Sequence, residues 1–155
     1  MIQVAVANEQ ADYPIDESLL RRAVTHVLRT HEYRNATISV AVVDNPKIHE
    51  LNKQFLDHDY PTDVLSFLLD EDQQQLDGEV IVSAEMAACE AARFDWTPTA
   101  ELLLYVIHGT LHLVGYDDTT AEAAAEMRRA EADMLAEFGW QVRPERSAGQ
   151  AGDAT

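Results

Sequence analysis

The stretch from Pro98 to Leu113 limits the fold more than any other part of this sequence. It reads as one long helix, and Leu102, Leu103, Leu104, Val106, Ile107, Leu111 and Leu113 leave it almost no polar face. A helix that is apolar on most sides belongs inside a large core or a membrane. No apolar run here reaches the ~20 residues that a bilayer demands, so the helix is expected to be buried within a globular domain. A chain of 155 residues is long enough to close one such core. Gly115 ends the helix, because glycine accepts the backbone conformation that follows a helix C-terminus.

The other elements follow from periodicity and punctuation. Ile2 to Ala7 alternates as a strand, and Asp16 caps a helix whose apolar face is Leu19, Leu20, Ala23, Val24, Val27 and Leu28. Thr37 to Val43 is β-branched and predicts a second strand. Asp44-Asn45-Pro46 opens a helix carrying Ile48, Leu51, Asn52 and Phe55. A polar loop, Asp57 to Asp63, precedes a third strand, Val64 to Leu69; Asp70 to Asp77 is expected to be an exposed hairpin loop, and Gly78 to Ser83 a fourth strand. Helices follow over Ala84 to Phe94, Pro98 to Leu113 and Thr120 to Phe138. The fold class is thus α/β (α+β): one sandwich domain, residues 1–142, with a mixed four-stranded sheet and about five helices. Residues 143–155 are rich in Gly, Ala, Ser and charge and are expected to be a disordered tail.

Charge narrows the function classes. With 11 Lys+Arg against 28 Asp+Glu, the net charge is −17 at pH 7. That disfavours anionic membranes and argues against a large nucleic-acid surface, since phosphate binding relies on cations. A polyanionic substrate needs a local basic strip or a metal. Cys89 is the only cysteine, which excludes an intrachain disulfide and a cysteine-pair zinc finger and favours a cytoplasmic setting. The run Met1 to Val6 has no basic n-region or cleavage site, so no signal peptide is expected.

The chemistry concentrates at the end of the apolar helix. His108 and His112 are four residues apart and share one helical face. Buried imidazoles in so apolar a helix are costly unless they coordinate something. The turn at Gly115 can return Asp118, ten residues after His108, to the same ion. Two histidines and a carboxylate form a known catalytic zinc set that leaves one position open for water. One zinc ion per chain is the expectation. The spacing is that of metzincin proteases, but those carry a glutamate after the first histidine as general base. Gly109 stands there, which weakens the protease reading.

The run His-Gly-Thr-Leu-His-Leu-Val-Gly-Tyr-Asp, His108 to Asp117, resembles the signature of the YbeY family of endoribonucleases and rRNA maturation factors. Leu51-Asn52, Pro61-Thr62-Asp63-Val64-Leu65-Ser66-Phe67, Gly78 to Ser83, and Met127, Glu131 and Leu135 in the last helix agree with it. The resemblance runs from about Ile2 to Trp140. It implies one metal, usually zinc, and hydrolysis of single-stranded RNA in 3′-end maturation of small-subunit rRNA and in ribosome quality control. The implied partners are single-stranded RNA and the ribosomal small subunit or its assembly factors, with no DNA and no membrane. Two positions depart from the family. Asp118 stands where a third histidine is usual, and Leu56 where an arginine usually follows the aromatic Phe55. That arginine is a natural phosphate clamp; Lys53 is a candidate substitute.

Thr62 and Ser66 match the family loop as substrate-binding candidates, and Asp63 is the candidate general base. For Thr62 and Asp63 a capping role before the strand serves equally well. His26, His31, His49 and His58 are expected at the surface, and Cys89 in the core. Glu122, Glu126, Glu131 and Glu137 are expected to form the wet face of the last helix. The rival reading to a nuclease is a non-catalytic ribosome-assembly factor in which the metal only holds the fold.

Overall fold

A computed structural model describes residues 1–58, 62–72 and 75–141. The elements are β1 (Ile2–Asn8), α1 (Glu17–Thr30), β2 (Asn35–Val43), α2 (Asn45–Leu56), β3 (Val64–Asp72), β4 (Gln75–Ser83), α3 (Ala84–Arg93), α4 (Pro98–Leu113) and α5 (Ala121–Glu137). The sheet order is β1-β2-β4-β3. β1–β2 and β2–β4 pair parallel, and β3 joins the edge antiparallel to β4. The mixed four-stranded sheet and five helices are those expected from the sequence. The stretch 143–155, read as a tail, lies outside the described residues.

Side-chain capping sets the helix starts. Asp16, Asp44, Ser83, Thr97 and Thr120 each accept a hydrogen bond from a backbone N–H in the first turn, at Leu19, Lys47, Met86, Ala100 and Ala123. Each such cap contributes about 1 kcal/mol by satisfying a donor the helix leaves free.

α4 is the central helix. It packs against α1, α3, α5, β3 and β4, and its residues from Ala100 to Leu111 are all buried, as its sequence demands. Ala36, Ile38, Val40, Val42, Leu76, Val80 and Val82 line the sheet face of this core. The opposite sheet face is covered by α2 at one end, over a smaller cluster of Val43, Ile48, Leu65 and Ile81. Leu56 and Phe67 pack on that cluster.

Two expectations are corrected here. Asp70–Asp72 and Gln75–Asp77 are strand rather than loop, in register Asp70↔Asp77, Glu71↔Leu76 and Asp72↔Gln75, while residues 73–74 of the expected loop lie outside the described residues. A register shift between Leu68 and Asp70 absorbs the irregularity. Leu76 is fully buried between half-buried Gln75 and Asp77, so the alternation that marks a strand begins three residues earlier than the β-branched run. Cys89 is exposed, because α3 buries Ala84, Ala87 and Ala91 and position 89 lies on the other side of that helix.

Candidate metal centre

His108 and His112 come from the last two turns of α4, and Asp118 from the loop beyond it. The loop reverses at Gly115, whose φ of 108° is costly for any residue with a Cβ. The chain then returns so that one ligand atom from each of His108, His112 and Asp118 lies within 4.8 Å of the others. Asp117, the adjacent carboxylate, accepts hydrogen bonds from the backbone N–H and hydroxyl of Thr119 instead. It shapes the turn, and Asp118 faces the histidines.

Both imidazoles are held in one tautomer. His108 Nδ1–H donates to Glu131 Oε2 at 2.5 Å, both side chains being fully buried. His112 Nδ1–H donates to the Tyr116 carbonyl at 3.1 Å. With both Nδ1 atoms acting as donors, both Nε2 atoms carry lone pairs, and these nitrogens lie 3.1 Å apart. Two lone pairs converging at that distance repel unless a cation lies between them. Burial, followed by the neighbouring His108, holds the pKa of His112 below its ordinary value, so the neutral, coordinating form prevails near neutrality. The donor set therefore fits a divalent ion of the zinc type, with two imidazole nitrogens and one carboxylate oxygen.

Glu131 is the residue the sequence reading missed. The composition of α5 suggests the wet face, yet Glu131 is wholly buried, and Arg128 lies 3.5 Å from its Oε2 in the same buried layer. The signal was there: Glu131 is four residues from both Met127 and Leu135, and all three lie on the buried stripe. Composition argued otherwise, because α5 is rich in exposed glutamate. His26 and His49, expected at the surface, are half-buried, and so is His31. Its Nδ1–H donates to the Val27 carbonyl, and its Nε2 accepts from the Tyr116 hydroxyl at 3.1 Å, tying α1 to the metal loop.

The remaining candidates lie elsewhere around α4. Ser66 donates its hydroxyl to the Gly109 carbonyl at 2.9 Å, fastening β3 to α4. Thr62 is buried and its hydroxyl donates to Asp63 at 3.5 Å. Asp63 is half-buried and, with burial and Glu101, raises the pKa of the Tyr105 phenol. It does not join the three-ligand cluster. Lys53 is exposed on the last turn of α2.

Gly109 explains why the protease pattern fails here. A Cβ at that position would meet Val80 Cγ1 at 2.7 Å, Ser66 Oγ at 2.9 Å and Val64 Cγ2 at 3.0 Å. The position is the seat of α4 on the β3–β4 hairpin, and a glutamate there would have neither room nor access to the ligands.

The profile of the family described as Endoribonuclease YbeY matches residues 5–139. The chain belongs to the YbeY family. Members of that family are metal-dependent endoribonucleases, so the enzyme class is a hydrolase. Among curated YbeY proteins, that of Moorella thermoacetica is 35% identical over 154 residues, covering 89% of this chain and 98% of its own. That of Rhodopirellula baltica is 46% identical over 97 residues, covering 61% of this chain and 50% of its own. The solution structure of TM1509 from Thermotoga maritima superposes with a TM-score of 0.59 at 29% identity, over 89% of this chain and 91% of that one. No helix among the described residues is long and apolar enough to cross a membrane.

Proposed function

We propose that this YbeY chain is a zinc-dependent endoribonuclease that hydrolyses single-stranded RNA during 3′-end maturation of small-subunit rRNA. The observation that carries the reading is the convergence of His108 Nε2, His112 Nε2 and the Asp118 carboxylate within 4.8 Å, a three-donor set that leaves a coordination position open. A divalent ion held there supplies Lewis-acid polarisation of a phosphodiester oxygen and a water of lowered pKa. The chain's own work is orientation: Glu131 and the Tyr116 carbonyl fix the two rings, and the buried wall of α4 keeps bulk water from their inner side. Asp63 is assigned as proton acceptor, with Thr62, Ser66 and Lys53 on the substrate side.

The test is cleavage of single-stranded RNA by zinc-loaded protein set against chelator-treated protein. Cleavage that follows the metal and disappears in His112→Ala is the expected result. RNA left intact by fully loaded protein would favour the other reading, a metal-stabilised assembly factor of the ribosomal small subunit. One observation speaks for that alternative: Leu56 holds the place of the family arginine and packs on the Leu65–Ile81 cluster, so that position offers no cation to a phosphate.

A further inference from the structure

We infer that the groove between α1 and α5 is a cationic track for the phosphodiester backbone of single-stranded RNA, outside the metal centre. The inference rests on the ribonuclease reading above. α1 carries Arg21, Arg22 and Arg29 against one acid, Glu17, in a chain with 28 acids for 11 Lys+Arg. Arg21 pairs with Glu17 at 3.7 Å. Arg22 and Arg29 are exposed and form no salt bridge among the described residues. α5 shows what an ordinary solvated face looks like in this chain: Glu122, Glu126, Asp133 and Glu137 are exposed there beside Arg129 alone. The acids that fill that face are missing from α1.

The arginines line a concave surface. Arg21, Arg22, Thr25, His26 and Arg29 form one wall, and Phe138 at the end of α5 forms the other. The Arg22 guanidinium lies 5.9 Å from the centre of the Phe138 ring, and His26 meets the ring edge-on at 6.0 Å. Free cations flanking an aromatic ring are the pairing that single-strand grooves use, the cations following phosphates and the ring receiving a base. Arg22 and Arg29 are two helical turns apart, about 10.5 Å along the axis, enough to meet separate phosphates. A second, separate hollow is lined by Thr30, His31, Tyr116 and Arg129. Tyr116 is also the residue whose carbonyl holds His112, so this second hollow lies beside the loop that carries Asp118. Glu126 and Asp133 border this second hollow, which places the phosphate-binding part in the first, between Arg29 and Phe138. The track gives a chain of −17 the local cations that RNA binding requires.

The experiment compares the full-length metal-loaded chain with Arg22→Gln/Arg29→Gln and with a control, Lys47→Gln/Arg93→Gln, that removes the same charge elsewhere. Binding of an oligouridylate of about 12 nucleotides, a length such grooves accommodate, is followed by anisotropy across salt concentrations. Cleavage of an oligonucleotide of about four nucleotides runs in parallel. The arginine variant should bind the longer RNA more weakly, with a log–log salt slope shallower by about 0.7 for each arginine lost. It should still cleave the short RNA, and the control should match the parent on both. Equal slopes for parent and arginine variant overturn the inference. So does an equal loss in the control, which would mean a bulk field effect. Unchanged RNA binding with lost binding to polyglutamate would assign the groove to an acidic protein and also overturn it. A parent that cleaves neither RNA but shows the arginine-dependent slope would retire the ribonuclease reading and leave the groove standing.

Discussion

Glu131 is what would make His108 a metal ligand. The carboxylate holds Nδ1, commits the proton to that side and turns Nε2 toward His112. Arg128, on the preceding turn of α5, lies against the same carboxylate. Glu131→Gln retains an acceptor of the same shape but removes the charge. Zinc affinity should fall about tenfold to hundredfold, as for other partners that orient a ligand from behind, and competition against a chromogenic chelator on folded protein reads it. Affinity within a factor of about two of the parent would show that Glu131 only fills space. His112 sets the acid limit. Its pKa in the fold lies below the ordinary 6.5, so the unfolded chain takes up the proton first. This term is fully favourable to folding above pH 6.5 and is lost as pH falls from there through the folded value. In metal-free protein, the melting temperature of the parent should therefore fall relative to His112→Gln below pH about 6.5, and the gap should be constant above it. A gap independent of pH would show that His112 is not held neutral by the fold.

At the scale of elements, the seat of α4 on the hairpin decides whether the ligands arrive in place. Gly109→Ala isolates this contact. Alanine favours a helix over glycine by about 1 kcal/mol, while overpacking a tight core costs about 1–3 kcal/mol. The three atoms closest to the new Cβ belong to side chains on β3 and β4. Those of Val80 and Val64 are fully enclosed, and Ser66 is held by its bond to Gly109, so the second effect wins. The variant should melt several degrees below the parent in a thermal scan, at roughly 2–4 °C per kcal/mol for a domain of this size. An unchanged or raised melting temperature would mean that the helix stands off the sheet. The same elements show what a sequence can disclose. α1, α4 and β2 were legible because their periods agree with their burial, and the ligand pair was legible because it interrupts an apolar face. The β3–β4 ladder beyond Leu69 was not: backbone pairing carries Asp70, Glu71 and Asp72 as strand residues although their side chains look like loop. Glu131 was hidden for the opposite reason, since a buried glutamate looks like its exposed neighbours until its partner from another helix is known.

Over the whole molecule, the ion and the net charge act on the same equilibrium. The three candidate ligands come from α4 and the loop before α5, while Glu131 binds His108 from α5. The unfolded chain has no such arrangement, so an ion that binds the folded state stabilises it by mass action. At a free zinc concentration one hundred times the dissociation constant the gain is about 2.7 kcal/mol, which converts to a rise of roughly 5–10 °C at this chain length. The chain's −17 adds a second term, because self-repulsion weakens the compact state and both monovalent salt and a bound cation relieve it. The two contributions separate by concentration. Salt should raise the melting temperature gradually and equally in the parent and in His112→Ala, while zinc should raise it at far lower concentration and in the parent alone. A calorimetric titration with each, on both proteins, makes the comparison. If zinc stabilised His112→Ala as much as the parent, the ion would be acting on diffuse surface charge, and the three-donor cluster would not be its site.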